Sequence, residues 1–350
     1  MIDDLLAHVI AAPDDRDAFL VLGDAMQAAG DPRGELVIAQ TLGGAPARER
    51  ELIAQHRTAW LGDLATVPAG DVELEWHRGF VRAVRLGRSR SSVTASDFEL
   101  DDLVARLATL PATELVRVVT LESGSAHQVE WNHAVDALAE HGVPPNVAQL
   151  ALLAGERGFH GRENLRRAVA RIEWLHELVI AGESIWLDVI DLPELIGLTL
   201  WPAGLSRDLA HAVFHADWAF LDRLELGIGV PGERGCSVTP GTMRDAIHAL
   251  RAPRLRHLGL RSCGFTDELA AIVAQAPIAE QLESLDLSDG TLSDSGAAEL
   301  RHLAHLRELH LSHAFVSPSV RDELSRLGPR VIMDDPQSPD DDFRRPRRLE

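Results

Sequence analysis

The chain has 350 residues, 45% of them apolar, and a formal net charge of −20. That charge argues against a surface for nucleic acid or anionic lipid, which needs clustered positive charge, and favours neutral or basic partners. No run of eighteen apolar residues could cross a membrane, two cysteines are too few for a disulfide framework, and the absence of lysine excludes Schiff-base, pyridoxal phosphate and Walker A chemistry.

The first residues, Met1-Ile2-Asp3-Asp4, are acidic where a secretory leader would be basic, so the expected compartment is the cytoplasm. Residues 1–70 read as helical. Leu5, Leu6, Val9 and Ile10 share one helical face. Pro13-Asp14-Asp15 ends that helix and supplies a cap for the next, which carries Phe19, Leu20, Leu22, Ala25 and Met26. Gly30-Asp31-Pro32-Arg33-Gly34 is a stop and turn. Leu36 and Val37 open a third helix, and Leu52, Ile53, His56 and Trp60 form a fourth stripe. Asp71 to Trp76 alternates as a strand should, and Arg78-Gly79 leads into another strand at Phe80. The helices are expected to cover the open edge of the sheet that begins here.

From Phe80 onward one pattern dominates. LxxLxL recurs nine times, starting at Val81, Val116, Val147, Leu175, Leu195, Leu221, Leu255, Leu282 and Leu306. A unit of this size cannot bury its own apolar face, so neighbours must stack into a repeat array. Helices are expected between strands at 131–140, 165–172, 208–214, 242–250, 267–275 and 295–303. The interval after Leu175 leaves room only for a turn or a short 3₁₀ piece. Domain boundaries are expected at 1–70, 71–333 and 334–350. The last segment pairs Asp340-Asp341-Asp342 with Arg344-Arg345-Pro346-Arg347-Arg348 and has the composition of a disordered tail that could dock on an acidic partner.

Chemical motifs are weak. Gly227-Ile-Gly229-Val-Pro-Gly232 matches G-x-G-x-x-G, but more loop follows where a phosphate-binding helix should begin, and Pro231 removes an amide. His176-Glu177 fails as a zinc motif because Ile180 stands at the second ligand position. His302, His305, His310 and His313 are dense enough to consider as a metal group, although solvated or carbonyl-capping histidines fit better. Cys236 lies near Arg234 and Arg244, which could activate a thiol, but no histidine is spaced for catalysis. Arg88, Arg90 and Arg234 are loop arginines of the kind some GTPase activators use, without further support. No catalytic, cofactor or metal residues are expected.

The repeats resemble leucine-rich repeats of the ribonuclease-inhibitor-like kind. Leu282 to Leu300 carries the resemblance best, and Leu255 to Ala270 also does, with Cys263 in the Asn/Cys ladder position. The earlier copies depart at that position. Leu20 to Asp24, Gly30 to Leu36, Glu51 to Leu61 and Trp76 to Val81 resemble a bacterial repeat-companion domain, with Ala25 where that family has tryptophan. The resemblances imply an α/β solenoid, with a parallel sheet on its concave face, helices and loops on its convex face, and a small helical N-terminal cap.

In such a repeat the residues between the strand leucines face outward by alternation. The partner-binding residues expected on the concave face are Thr120, Gln149, Leu153, Val179, Trp201, Arg223, His257, Arg261, Asp286 and His310. The middle of this row is apolar, around Leu153, Val179 and Trp201, and its C-terminal third is polar. Trp131, Trp174, Trp186 and Trp218 are expected to pack on the convex side. The expected function is a non-catalytic scaffold or adaptor that binds a protein partner. The alternative is a recognition or regulatory subunit of a tagging, proteolytic or GTPase-regulating assembly.

Overall fold

The computed structural model describes residues 1–87, 99–108, 110, 114–123, 128–154, 162–172, 174–185, 187, 192 and 194–338. They form two compact units. One comprises Met1–Ser125, Val129–Ala151 and Arg171–Trp174, and the other comprises Ala126–Gln128, Leu152–Ala170 and Leu175–Glu350.

The first unit opens with four helices, α1 (Ile2–Ala11), α2 (Arg16–Ala28), α3 (Arg33–Leu42) and α4 (Pro46–Leu61). Asp15 caps α2 as its position before the helix suggests, accepting from the backbone N–H of Asp17 and Ala18. Val9, Phe19, Leu22, Met26 and Val37 bury together with Phe80 and Leu115. Leu36, Leu52 and Trp60 form a second cluster beside Ile53 and Trp76. The helices thus cover the first strands of their own unit, β1 (Val72–His77) and β2 (Phe80–Gly87).

β1 and β2 pair antiparallel through Arg78 and Gly79, both at positive φ, a two-residue hairpin turn. Gly79 is obligatory on two counts. Its φ is +83°, and an added Cβ would lie 2.9 Å from the Val37 backbone nitrogen. Helix α5 (Leu100–Ala108) follows, and β3 (Val118–Ser123) then pairs parallel with β2. After α6 (Gln128–His141) comes β4 (Gln149–Ala154), within which the chain passes to the second unit.

The second unit contains α7 (Arg162–Val169), β5 (Glu177–Gly182), β6 (Gly197–Pro202), α8 (Arg207–Phe214), β7 (Arg223–Gly229), α9 (Pro240–Ala249) and β8 (His257–Cys263). It continues with α10 (Thr266–Gln275), β9 (Ser284–Asp286), α11 (Asp294–Glu299), β10 (Glu308–His310), α12 (Pro318–Leu327) and β11 (Arg330–Ile332). β5 to β11 lie side by side in sequence order, all parallel. Parallel neighbours need a crossover, and most intervals supply it with a helix. Leu178, Leu198, Leu224, Leu258, Leu285 and Leu309 stand in register across six strands and are all buried. The sheet does not close into a barrel.

The expected helices between repeats are present, those at 208–214, 242–250 and 267–275 to within two residues at each end. The 295–303 helix divides into α11 and a 3₁₀ turn at Leu300–Leu303. Helix α5, helix α12 and strand β11 lie outside the nine copies. β11 is the cryptic one, because Gly328, Val331 and Met333 stand where LxxLxL would place leucines. Gly328 adopts φ +143° against the Ala304 carbonyl, so the turn determines that residue rather than the core.

Candidate functional site on the strand face

In the second unit the outward residues form three layers across the parallel strands. The first runs Glu177, Gly197, Arg223, His257, Ser284, Glu308, Arg330. The second runs Val179, Thr199, Glu225, Gly259, Asp286, His310, Ile332. In the third, Trp201 pairs with Ala181, and Arg261 pairs with Gly227. Leu153, Val179, Trp201, His257, Arg261, Asp286 and His310 are partly exposed and Arg223 is exposed, as outward positions should be.

Each layer contains a glycine, and two of them let side chains meet across two strands. Strands are about 4.8 Å apart, so an arginine can span two if nothing stands between. Arg223 reaches past Gly197 to Glu177, with Nη2 2.8 Å from Oε1. A Cβ on Gly197 would lie 2.0 Å from Glu177 Oε2. Arg261 reaches past Gly227 and lies over the Trp201 ring, 5.0 Å from its centroid. Gly259 is the exception. It lies between Glu225 and Asp286 in the second layer, and the Glu225 side chain lies over it, with Cγ 3.0 Å from where a Cβ would stand.

The charges form a connected set. Arg261 donates from Nε to Asp289 Oδ2 at 3.2 Å and lies 3.7 Å from Asp286. Asp289 is 4% exposed and also faces His313 Nδ1 at 2.7 Å. His257 lies 3.4 Å from Glu225 through Nε2 and 3.0 Å from the Ser284 hydroxyl through Nδ1. The hydrogen bond from His257 is the main reason that the Glu225 carboxyl titrates below its ordinary range, partly offset by burial. The row read as an apolar centre with a polar flank is therefore joined. Its tryptophan carries the guanidinium that anchors the acidic flank.

The first unit carries a shorter row of outward strand residues of its own. Thr120 is paired with Arg85, and both are partly exposed. Arg85 bridges Glu73 at 2.8 Å and Glu122, and these bonds hold its proton more tightly although burial opposes them. Gln149 is partly exposed at the start of β4.

The remaining motifs resolve plainly. The loop after β7 runs to Pro240 before a helix begins, so Gly227, Gly229 and Gly232 present no phosphate cradle. Gly229 is in close contact with Gly204, which in turn packs against Cys236. Cys236 is buried, and burial pushes its thiol up, so Arg234 and Arg244 do not activate it. Burial raises Cys263 as well, and its sulfur accepts from the backbone N–H of Phe265 as a ladder residue.

The four C-terminal histidines have separate partners. His305 meets the Ala279 carbonyl, His310 meets Glu308 and His313 meets Asp289, while His302 is exposed. Among the described residues, the three ligating side chains that do converge within 4.8 Å are Glu99, Asp101 and His133, in the first unit. The sequence reading missed this group because 34 residues separate its ends (133 − 99).

Trp218 packs as expected, donating to the Val213 carbonyl at 2.8 Å. Trp174 does not. It is 58% exposed, so its expected packing role is withdrawn. The side chains of Trp131 and Trp186, the loop arginines Arg88 and Arg90, and Arg344 to Arg348 lie outside the described residues. Among those described, no helix is long and apolar enough to cross a membrane.

No family model matches the chain, and no curated protein matches it. Among solved structures it is similar to a protein from Bacteroides fragilis, with a TM-score of 0.60, 19% identity, and 84% of each chain covered. It also aligns with the crystal structure of a TLR13-ssRNA13 complex at a TM-score of 0.40 and 16% identity. That alignment covers 73% of this chain and spans 33% of the other. At such identities the likeness to the B. fragilis protein is one of fold: helices and a long, mostly parallel open sheet, consistent with leucine-rich-repeat-like units.

Proposed function

We propose that this chain is a non-catalytic binding scaffold of the leucine-rich-repeat class. Residues 71–333 form its repeats, and the helical segment at 1–70 is a cap of the repeat-companion type. Its ligand is a protein segment received on the outward strand face, on the row from Leu153 through Val179 and Trp201 to Arg223, His257, Arg261, Asp286 and His310. Thr120 and Gln149 carry the corresponding positions in the first unit.

The observation that carries this reading is the Trp201–Arg261 pair. A partly exposed tryptophan held under a guanidinium, with Val179 and Ala181 beside it, is a pre-ordered contact of the kind that dominates interface energetics. The row's other charges are largely paired within it, so a partner would gain more from the apolar centre than from the flanking charges. Ser284, His257 and Glu225 are in contact on the row as hydroxyl, imidazole and carboxylate, and the buried thiols are poorly placed for chemistry.

The test compares affinity capture by the wild-type chain, Trp201→Ala, Arg261→Ala and the off-row control Arg301→Ala. A partner retained by the wild type and Arg301→Ala, but lost from both row variants, is the expected result. Equal recovery by all four would overturn the assignment of the face.

A further inference from the structure

The first unit brings together two carboxylates and an imidazole far from the strand-face row. One donor atom each from Glu99, Asp101 and His133 lies within 4.8 Å of the other two. Glu99 immediately precedes α5, and its carbonyl accepts from the backbone N–H of Leu103 at 3.2 Å, which fixes it to the first turn of that helix. Asp101 is in the same turn, and His133 is on α6. Both helices are anchored from below. Leu100, Leu103, Val104 and Leu107 bury one face of α5, and Ala134, Val135 and Leu138 bury one face of α6. The three polar residues therefore stand on backbones that packing holds in place.

A second observation marks the group. Asp101 Oδ1 is buried, and among the described residues no N–H or O–H donates to it. A carboxylate oxygen removed from water without a donor is costly, and a second carboxylate beside it adds repulsion. A cation between them relieves both. The neighbouring imidazole supplies a neutral nitrogen ligand, which a purely electrostatic cation site would not need.

We propose that Glu99, Asp101 and His133 bind one divalent transition-metal ion, zinc by chemistry, and that the ion ties the start of α5 to α6. Two carboxylates neutralise a divalent charge. The mixed oxygen and nitrogen set suits zinc, whereas calcium and magnesium favour oxygen ligands throughout. Donors on a tetrahedral zinc ion, each about 2.1 Å from the metal, stand about 3.4 Å apart. A group already within 4.8 Å closes to that spacing by turning side chains, and Glu99 and His133 are exposed enough to turn. Three protein ligands leave the fourth position to water. α5 and α6 are the crossovers on either side of β3, so the ion would act as a staple between successive repeats of the first unit. The site is independent of the strand-face reading.

The test uses the full chain without an affinity tag, stripped with a chelator and titrated with zinc by calorimetry. One ion per chain is expected, with affinity lowered about tenfold or more by Asp101→Asn or His133→Ala and unchanged by Trp201→Ala. The control is His211→Ala, which removes half of the stacked His211–His215 pair on α8, the other place where exposed imidazoles adjoin. It should leave the affinity unchanged. Amide exchange should slow at the start of α5 and in α6 when zinc is added to wild type, but not to His133→Ala. Circular dichroism spectra that match wild type establish that the variants are folded, and cobalt as a spectroscopic substitute should give visible absorption bands that His133→Ala loses. Absence of zinc binding, binding indifferent to both ligand substitutions, or binding lost with His211→Ala would overturn the proposal. Calcium or magnesium competing as effectively as zinc would overturn the assignment of the metal class.

Discussion

Single residues decide which strand-face groups can meet. Gly197 is the clearest case, because the space its missing Cβ leaves is filled by the Glu177 carboxylate that pairs with Arg223. Gly197→Val should displace that carboxylate and release the pair. Since Arg223 is nearly half exposed, the expected stability loss is small, within about 1 kcal/mol, and mutating Arg223 afterwards should cost nothing more. A double-mutant cycle in urea reads this directly, and a persisting coupling would sink it. Glu225 has a different consequence. Its carboxyl titrates below the ordinary value of 4.5 because His257 hydrogen-bonds to its ionised form. A depressed folded value means stability that is present above about pH 4.5 and lost as pH falls through the folded value. Wild type should therefore lose stability between pH 5 and 3 faster than Glu225→Gln, measured as urea midpoints at each pH. Parallel midpoint curves would contradict the assignment.

At the scale of elements, consecutive repeats are tied at their helix starts. Asp267 of α10 accepts from both the backbone N–H and the hydroxyl of Ser293, the N-cap of α11. Asp294 of α11 accepts from the backbone N–H of Ser317, the N-cap of α12. Asp267→Ala would leave a buried serine with unmatched donors, a loss of about 1–3 kcal/mol that thermal unfolding can measure. A change below about 0.5 kcal/mol would show that water replaces the carboxylate. This ladder was partly legible in Leu282 to Leu300, where the strand leucines, Asp294 and Gly296 all hold their expected places. The strands themselves were legible because each must present leucines every second residue to one buried side. What escaped the sequence lay where another demand chose the residue. β11 was hidden because a turn took Gly328 in place of leucine, and Trp174 was misjudged because an aromatic near a strand start does not reveal which way it points. The face was legible as a row, but the glycine-gated contacts were not, since they depend on register between strands rather than order along one. The Trp201–Arg261 contact joins residues 60 positions apart (261 − 201), and only the pairing of β6, β7 and β8 brings them together.

At the scale of the molecule, the sequence order of β5 to β11 makes stability a chain of neighbour terms. Each strand pairs with the one before and the one after, and no strand of this unit returns to a distant one. In such an array a core deletion loosens its own repeat and the adjacent interfaces first, because no long-range contact spreads the loss. Leu309 is 1% exposed on β10, between Leu285 and Val331. Leu309→Ala should cost about 2–5 kcal/mol, the range for a buried leucine. Amide hydrogen exchange should then rise in β9, β10 and β11, while β6 and β7 keep wild-type protection under native conditions. A uniform rise across all the strands would mean that the unit unfolds as one body, and the neighbour-by-neighbour account would be wrong. The same logic bears on binding. Trp201 sits on β6, inside the part expected to stay protected, so Leu309→Ala should leave partner capture through the apolar centre intact.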